Sequence, residues 1–174
     1  MPWKVDPAHS SVNFGARHML VATTRGKFND YSVNATVDED DLSKSSAEVT
    51  IKAASVDTNE PKRDAHLRSA DFFDAERFPD ITFKSKRLEP KGDEDVRLVG
   101  DLTVKDVTRE VTLDGEWSKP QADPFGVQRT GISVEGKVSR KDFGLNWSAP
   151  VEMGGIVVGD TIKLMVDLEL VKEA

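Results

Sequence analysis

The chain has 174 residues, 37% of them hydrophobic and 32% charged, the size and composition of one globular domain spanning residues 1–174. It contains no cysteine, which excludes a disulfide framework, a thiol nucleophile and a thiolate-bound metal or iron–sulfur cluster. A formal charge of −7 argues against a nucleic-acid partner, which calls for cations to displace phosphate counterions. No apolar run approaches the ~20 residues of a spanning helix, so no stable membrane insertion is expected.

The opening MPWKVDPAHSS lacks a basic segment followed by an apolar one, so no secretory signal is read and a cytoplasmic location is expected. Removal of a leader would make that location periplasmic or secreted. Trp3 and Val5 alternate with Lys4 and Asp6 before a turn at Asp6-Pro7. Over 11–18 the alternation is clean, with Val12, Phe14, Ala16 and His18 on one face. A break at 22–27 follows, then a strand carrying Tyr31, Val33, Ala35 and Val37 on one side. An acidic turn at 38–41 leads to Ala47, Val49, Ile51 and Ala53. Period two sustained over such lengths predicts β-strands.

The stretch 55–79 breaks this rhythm. Thr58 or Asn59 suits a helix cap, Glu60 and Pro61 its first turn, and Ala65, His66, Leu67 and Ser69 its continuation. A second short turn is expected through Phe72, Phe73 and Ala75, stopped at Phe78-Pro79 because the residue before proline is pushed out of helical geometry. Two readings are open: a helical plug over a sheet or barrel mouth, or a surface crossover anchored by its aromatics.

Beyond it, Ile81 and Phe83 begin a strand that ends at the hairpin EPKGDED. Val96, Leu98, Gly100, Leu102 and Val104 share a face and turn through Lys105-Asp106 into Val111, Leu113, Gly115 and Trp117. SKPQADPFG reads as a loop, and Ile132, Val134, Gly136 and Val138 as the next strand. After the irregular KDFGLNWSAPVEMGG, a long last strand aligns Ile162, Leu164, Val166, Leu168 and Leu170. The pattern is all-β, with eight or nine strands joined mostly by hairpin-length turns and hence antiparallel. One closed sheet and a two-sheet sandwich both fit, and the length of the strands favours an eight-stranded barrel.

Four segments, WKVDPAHSSVNFGARHMLVATTRGKF, TNEPKRDAHLRSADFFDAERFP, LVGDLTVKDVTREVTL and SRKDFGL, come in an order that resembles the YceI-like family of polyisoprenoid-binding, lipocalin-like proteins. The likeness runs from Trp3 to the last strand. It implies an extended antiparallel lipocalin-like barrel of about eight strands, with one or two short helical segments near one end. It also implies an elongated apolar tunnel for a long isoprenoid or similar amphiphilic lipid, and a homodimer. Many relatives carry glycine where this chain has Asp106; aspartate tolerates left-handed geometry, so the turn is expected to survive.

A lipid tail calls for a continuous apolar channel. The faces that supply it carry Val12, Phe14, Tyr31, Val33, Val49, Ile51, Phe83, Leu102, Val134, Leu164 and Val166, with Phe72 from the helical segment. The same side chains would also build a dry core. Arg17, His18, Arg63 and Arg68 are candidates for an anionic head group, and salt bridges to Asp64, Asp71 or Asp74 account for them equally. His9, His18 and His66 lack metal-ligand spacing. Asp6 with His9 and Asp64 with His66 read either as acid/base pairs or as turn hydrogen bonds. No nucleophile elbow, phosphate loop or dinucleotide motif is present. The expectation is non-enzymatic binding, storage or transport of a lipid, with no catalytic residue, metal or cofactor. The alternatives are an enzyme acting on such a lipid through a His–Asp pair, and a structural or stress-related dimer with an incidental cavity.

Overall fold

The alternating segments pair edge to edge in one antiparallel sheet, seen in a computed structural model that describes residues 3–18, 22–146 and 158–173, with backbone alone at 17, 18, 22 and 158. Its strands are β1 (Trp3–Val5), β2 (Ser11–His18), β3 (Ala22–Phe28), β4 (Tyr31–Thr36), β5 (Ser46–Lys52), β6 (Val56–Asp57) and β7 (Asp80–Pro90). They continue as β8 (Asp95–Val104), β9 (Val107–Ala122), β10 (Gln128–Ser139) and β11 (Val158–Lys172). Among the described residues the α-helix is α1 (Pro61–Arg68), and short 3-10 turns occupy Pro7–His9, Leu42–Lys44, Ala53–Ser55 and Arg140–Phe143.

These eleven segments exceed the eight strands expected, and the pairing explains why. Tyr31 to Thr36 pair with Ile51 back to Ser46, while Lys27 and Phe28 pair with Asp57 and Val56. Strands β3 and β4 therefore run in one direction along the same partner, as one stave bent at Asn29-Asp30. Strands β5 and β6 form the partner stave, bent at the 53–55 turn. Asn29 N–H donates to the Ser55 carbonyl (3.2 Å) and Lys52 N–H to that of Asp30 (2.9 Å), carrying the pairing across the bend. Pairing of β2 with β3, of β2 with β11, and of each neighbour from β5 through β7 to β11 then closes a ring of eight staves. β1 lies outside the ring, on the end of β11. Among the described residues, closure leaves no long open edge for another chain to extend.

Two segments read as irregular are strand. The supposed break at 22–27 is β3, whose inward positions carry small side chains. Gly26 is buried beneath the Phe14 ring, where a Cβ would collide with that ring. Gly100 stands under Phe83 in the same way. The first part of SKPQADPFG belongs to β9, where Gln121 and Ala122 pair with Arg129 and Gln128. Most side chains there are exposed, so no apolar alternation marks the strand. In the β8–β9 hairpin the left-handed residue is Lys105 (φ 59°), not Asp106.

The helical segment also starts later than expected. Asn59 takes a left-handed turn (φ 62°), Glu60 caps α1 by accepting the Lys62 N–H (3.0 Å), and Pro61 opens the first turn. Beyond Ser69, turns replace a second helix: the Phe72 and Asp74 N–H groups both donate to the Ser69 carbonyl (3.0 and 2.8 Å). Phe72 is thereby buried, and Phe73 packs edge-on against Phe28 at 5.8 Å between ring centres.

Candidate functional site

The inward faces of the staves enclose an apolar cavity of about 260 Å³. Val12, Phe14, Val33, Val49, Ile51, Phe83, Leu102, Val134, Leu164 and Val166 line it, and Phe72 reaches it from the segment after α1. Along β11 the lining runs from Ile162 to Leu170, about 26 Å of strand at ~3.3 Å per residue. The cavity is therefore long in the direction of the staves. At one end Leu67, Phe72 and Phe73 cross it beside Phe28, Phe143 and Leu145. Phe14 and Phe28 stand 5.4 Å apart between ring centres, continuing the aromatic cluster into the wall.

Tyr31 and Arg63 are not among the lining residues. Tyr31 packs against the core without lining the cavity, and burial pushes its phenol pKa up. Arg63 donates from Nε to the Thr58 hydroxyl and from Nη2 to the Thr58 carbonyl (2.8 Å each), so its guanidinium braces the turn before α1. Its neighbour Asp64, itself buried, accepts from the Thr58 N–H (2.8 Å) and the Thr58 hydroxyl (2.5 Å). The side chains of Arg17 and His18 fall outside the described residues.

Sequence reasoning passed over one lining residue of a different kind. Arg140, in SRKDFGL, is 3% exposed and lines the cavity. Its Nε donates to the Gly159 carbonyl (3.1 Å), its Nη1 to that of Leu145 (2.5 Å), and its Nη2 lies 3.4 Å from Asp160 Oδ1. These bonds tie the 140–146 segment to the start of β11. A buried arginine is legible only through partners distant in the chain, so nothing local distinguishes it from a solvated one.

Both histidine–carboxylate pairs sit outside the cavity lining. His9 Nδ1 meets Asp6 Oδ2 at 2.8 Å, and His66 Nε2 meets Asp71 Oδ2, not Asp64, at 2.8 Å. Asp6, His9 and Glu169 are grouped closely enough for a metal ion, but a cation is already there. Arg129 Nη1 donates to Asp6 (2.9 Å) and Glu169 (3.3 Å), and its Nε to Asp123 (2.9 Å). The His9 hydrogen bond, followed by that of Arg129, holds the Asp6 carboxyl below its usual range. The Asp6 bond raises the His9 pKa in turn. The cluster fastens the N-terminal turn to β10 and β11.

The model of the YceI-like domain matches residues 3–170. The UPF0312 protein SA2479 of Staphylococcus aureus strain N315 is 36% identical over 165 residues, 94% of each chain. The Campylobacter jejuni YCEI protein superposes with a TM-score of 0.79 at 31% identity, covering 91% of this chain and 90% of its own. Burkholderia cenocepacia BcnA does so at 0.82 and 23% identity, over 95% and 99%. A polyisoprenoid binding domain from Saccharophagus degradans, implicated in plant cell wall breakdown, gives 0.71 at 16% identity over 98% of both chains.

Proposed function

The chain belongs to the YceI-like domain family, and from that premise we propose that it is a non-catalytic binding protein. Its barrel takes up a long-chain isoprenoid or similar amphiphilic lipid, tail inward, for storage or transport. The observation that carries this reading is the chemistry of the lining. Among the described residues that form it there is no histidine, aspartate, glutamate, lysine or tyrosine, so the described lining supplies none of these proton-moving groups. What the lining offers is apolar surface. Burial there stabilises a bound chain by about 0.8 kcal/mol per methylene, which supplies affinity without specific contacts. The name of the Saccharophagus degradans domain supports a polyisoprenoid as the ligand class.

The test is a series of prenyl alcohols of increasing length, titrated at low and at high salt. Affinity rises with each prenyl unit until the cavity is filled, and salt changes it little, because apolar burial is not screened. Affinity independent of chain length contradicts the reading. The same premise leads us to propose a homodimer, which light scattering at micromolar concentration checks.

A further inference from the structure

We infer that residues 37–45 form a lid, latched by the Glu39–Lys172 ion pair, through which the ligand enters and leaves the barrel at the end away from α1. This route rests on the lipid-binding reading above and adds to it how the ligand is exchanged.

The two ends of the cavity are closed by different means. Around α1 the closing groups are buried: Phe72, Thr58 and Asp64 are all out of solvent, and Asp64 takes both donors of Thr58. At the opposite end, between β4 and β5, Val37, Leu42 and Ser45 line the cavity, yet no residue from 37 to 45 is buried. This loop is folded on itself. Asp38 Oδ1 accepts the Asp40 and Asp41 N–H groups (3.0 and 2.9 Å), Asp41 Oδ1 accepts that of Ser43 (3.1 Å), and the Ser45 hydroxyl accepts that of Asp38 (2.9 Å). All four bonds stay within the loop, so it can swing as one piece without breaking any of them.

Strand β4, which leads into the loop, is bonded along one edge, to β5. Its other, short edge packs against β1, with no pairing between the two among the described residues. One ion pair bridges this seam. Lys172, paired with Trp3 at the end of β11, places its Nζ 2.8 Å from Glu39 Oε2 and 6.0 Å from the centre of the Trp3 ring. Among the described residues this is the polar side-chain contact that ties the loop to the rest of the barrel. Its members are 43% and 26% exposed, so water and salt compete for them. Opening here breaks that pair and the apolar contacts of Val37 and Leu42, and leaves the β4–β5 ladder intact. Opening at α1 would instead strip the partners from buried Thr58 and Asp64. The weaker closure is the one at 37–45.

The experiment follows uptake and release of geranylgeraniol by stopped flow, read by the fluorescence of Trp117, which lines the cavity. Glu39→Gln is expected to raise both rates about two- to fivefold, the range of a part-exposed ion pair, and to leave their ratio, the affinity, within twofold. Added salt should speed exchange in the natural chain and not in the variant, although it changes affinity in neither. Exchanging the charges, Glu39→Lys with Lys172→Glu, should restore slow exchange. Unchanged rates in Glu39→Gln overturn the inference, as does a larger acceleration from Asp64→Ala at the α1 end. Failure to take up a prenyl alcohol of any length contradicts the lipid-binding reading itself, and the lid with it.

Discussion

Val49, Phe83 and Leu102 stand side by side across β5, β7 and β8 and hold the barrel wall by bulk alone. In the segment 58–79, by contrast, one buried carboxylate, Asp64, satisfies both the N–H and the hydroxyl of Thr58, and Arg63 holds the Thr58 carbonyl from the other side. The wall distributes its stability over many interchangeable apolar contacts. The segment that crosses one end of the cavity depends on a few polar bonds of fixed geometry, with Phe72 and Phe73 packed in as a consequence. Substitutions in the wall therefore act through volume and charge, and those in the segment through unpaired polar groups.

The largest effect is expected for Val49→Asp. It places a carboxylate between Phe83 and Val33 with no partner, costing roughly 4 kcal/mol or more in chemical denaturation and abolishing lipid binding. Retained binding at wild-type affinity means that the wall does not enclose the ligand. Next comes Phe72→Ala, which empties a buried aromatic site for about 3–5 kcal/mol. A near-neutral result means that the segment is not docked on the barrel. Asp64→Ala should cost about 1–3 kcal/mol, since it leaves the Thr58 N–H and hydroxyl without their acceptor. Hydrogen exchange sharpens the contrast here: amides at 58–68 should exchange faster, while those of β8 and β9 do not.

The smallest effect concerns pH. The His9 pKa is raised in the folded chain by Asp6, so the stability this pair contributes is fully present below the ordinary histidine value and lost as pH rises through the raised one. The Asp6 carboxyl is lowered, so its contribution is present above the ordinary carboxylate value and lost as pH falls through the lowered one. The clamp is strongest between these limits. His9→Gln should flatten the change in melting temperature between about pH 5 and 8, and also weaken the loss on the acid side, because the His9 bond is the first cause of the lowered Asp6 carboxyl.

The wall was readable in the sequence because inward and outward positions differ in polarity along most staves, as Val134, Leu164 and Val166 do. Reading failed where the inward residue is small, as at Gly26 beneath Phe14, or where the side chains are mostly exposed, as at 118–122. It also failed where one stave bends: β3–β4 and β5–β6 are each continuous in pairing, but the inward positions change phase across each bend, from Phe28 to Tyr31 and from Ala53 to Val56, so each stave reads as two separate runs. The polar contacts were less legible. Thr58 suited a helix cap, but Asp64, six residues on, takes both its donors, leaving Glu60 to cap α1. Arg63 suited a head-group site until its bonds to Thr58 were in view, and Arg140 gained its role only through Gly159 and Asp160, across the chain.

The central claim is that the barrel is a lipid container, and mass spectrometry of an organic extract of the purified protein tests it most directly. The account predicts one prenyl lipid per chain, released on denaturation. A well-folded protein that yields no lipid, and shows no affinity for prenyl chains of any length when titrated afterwards, would contradict it.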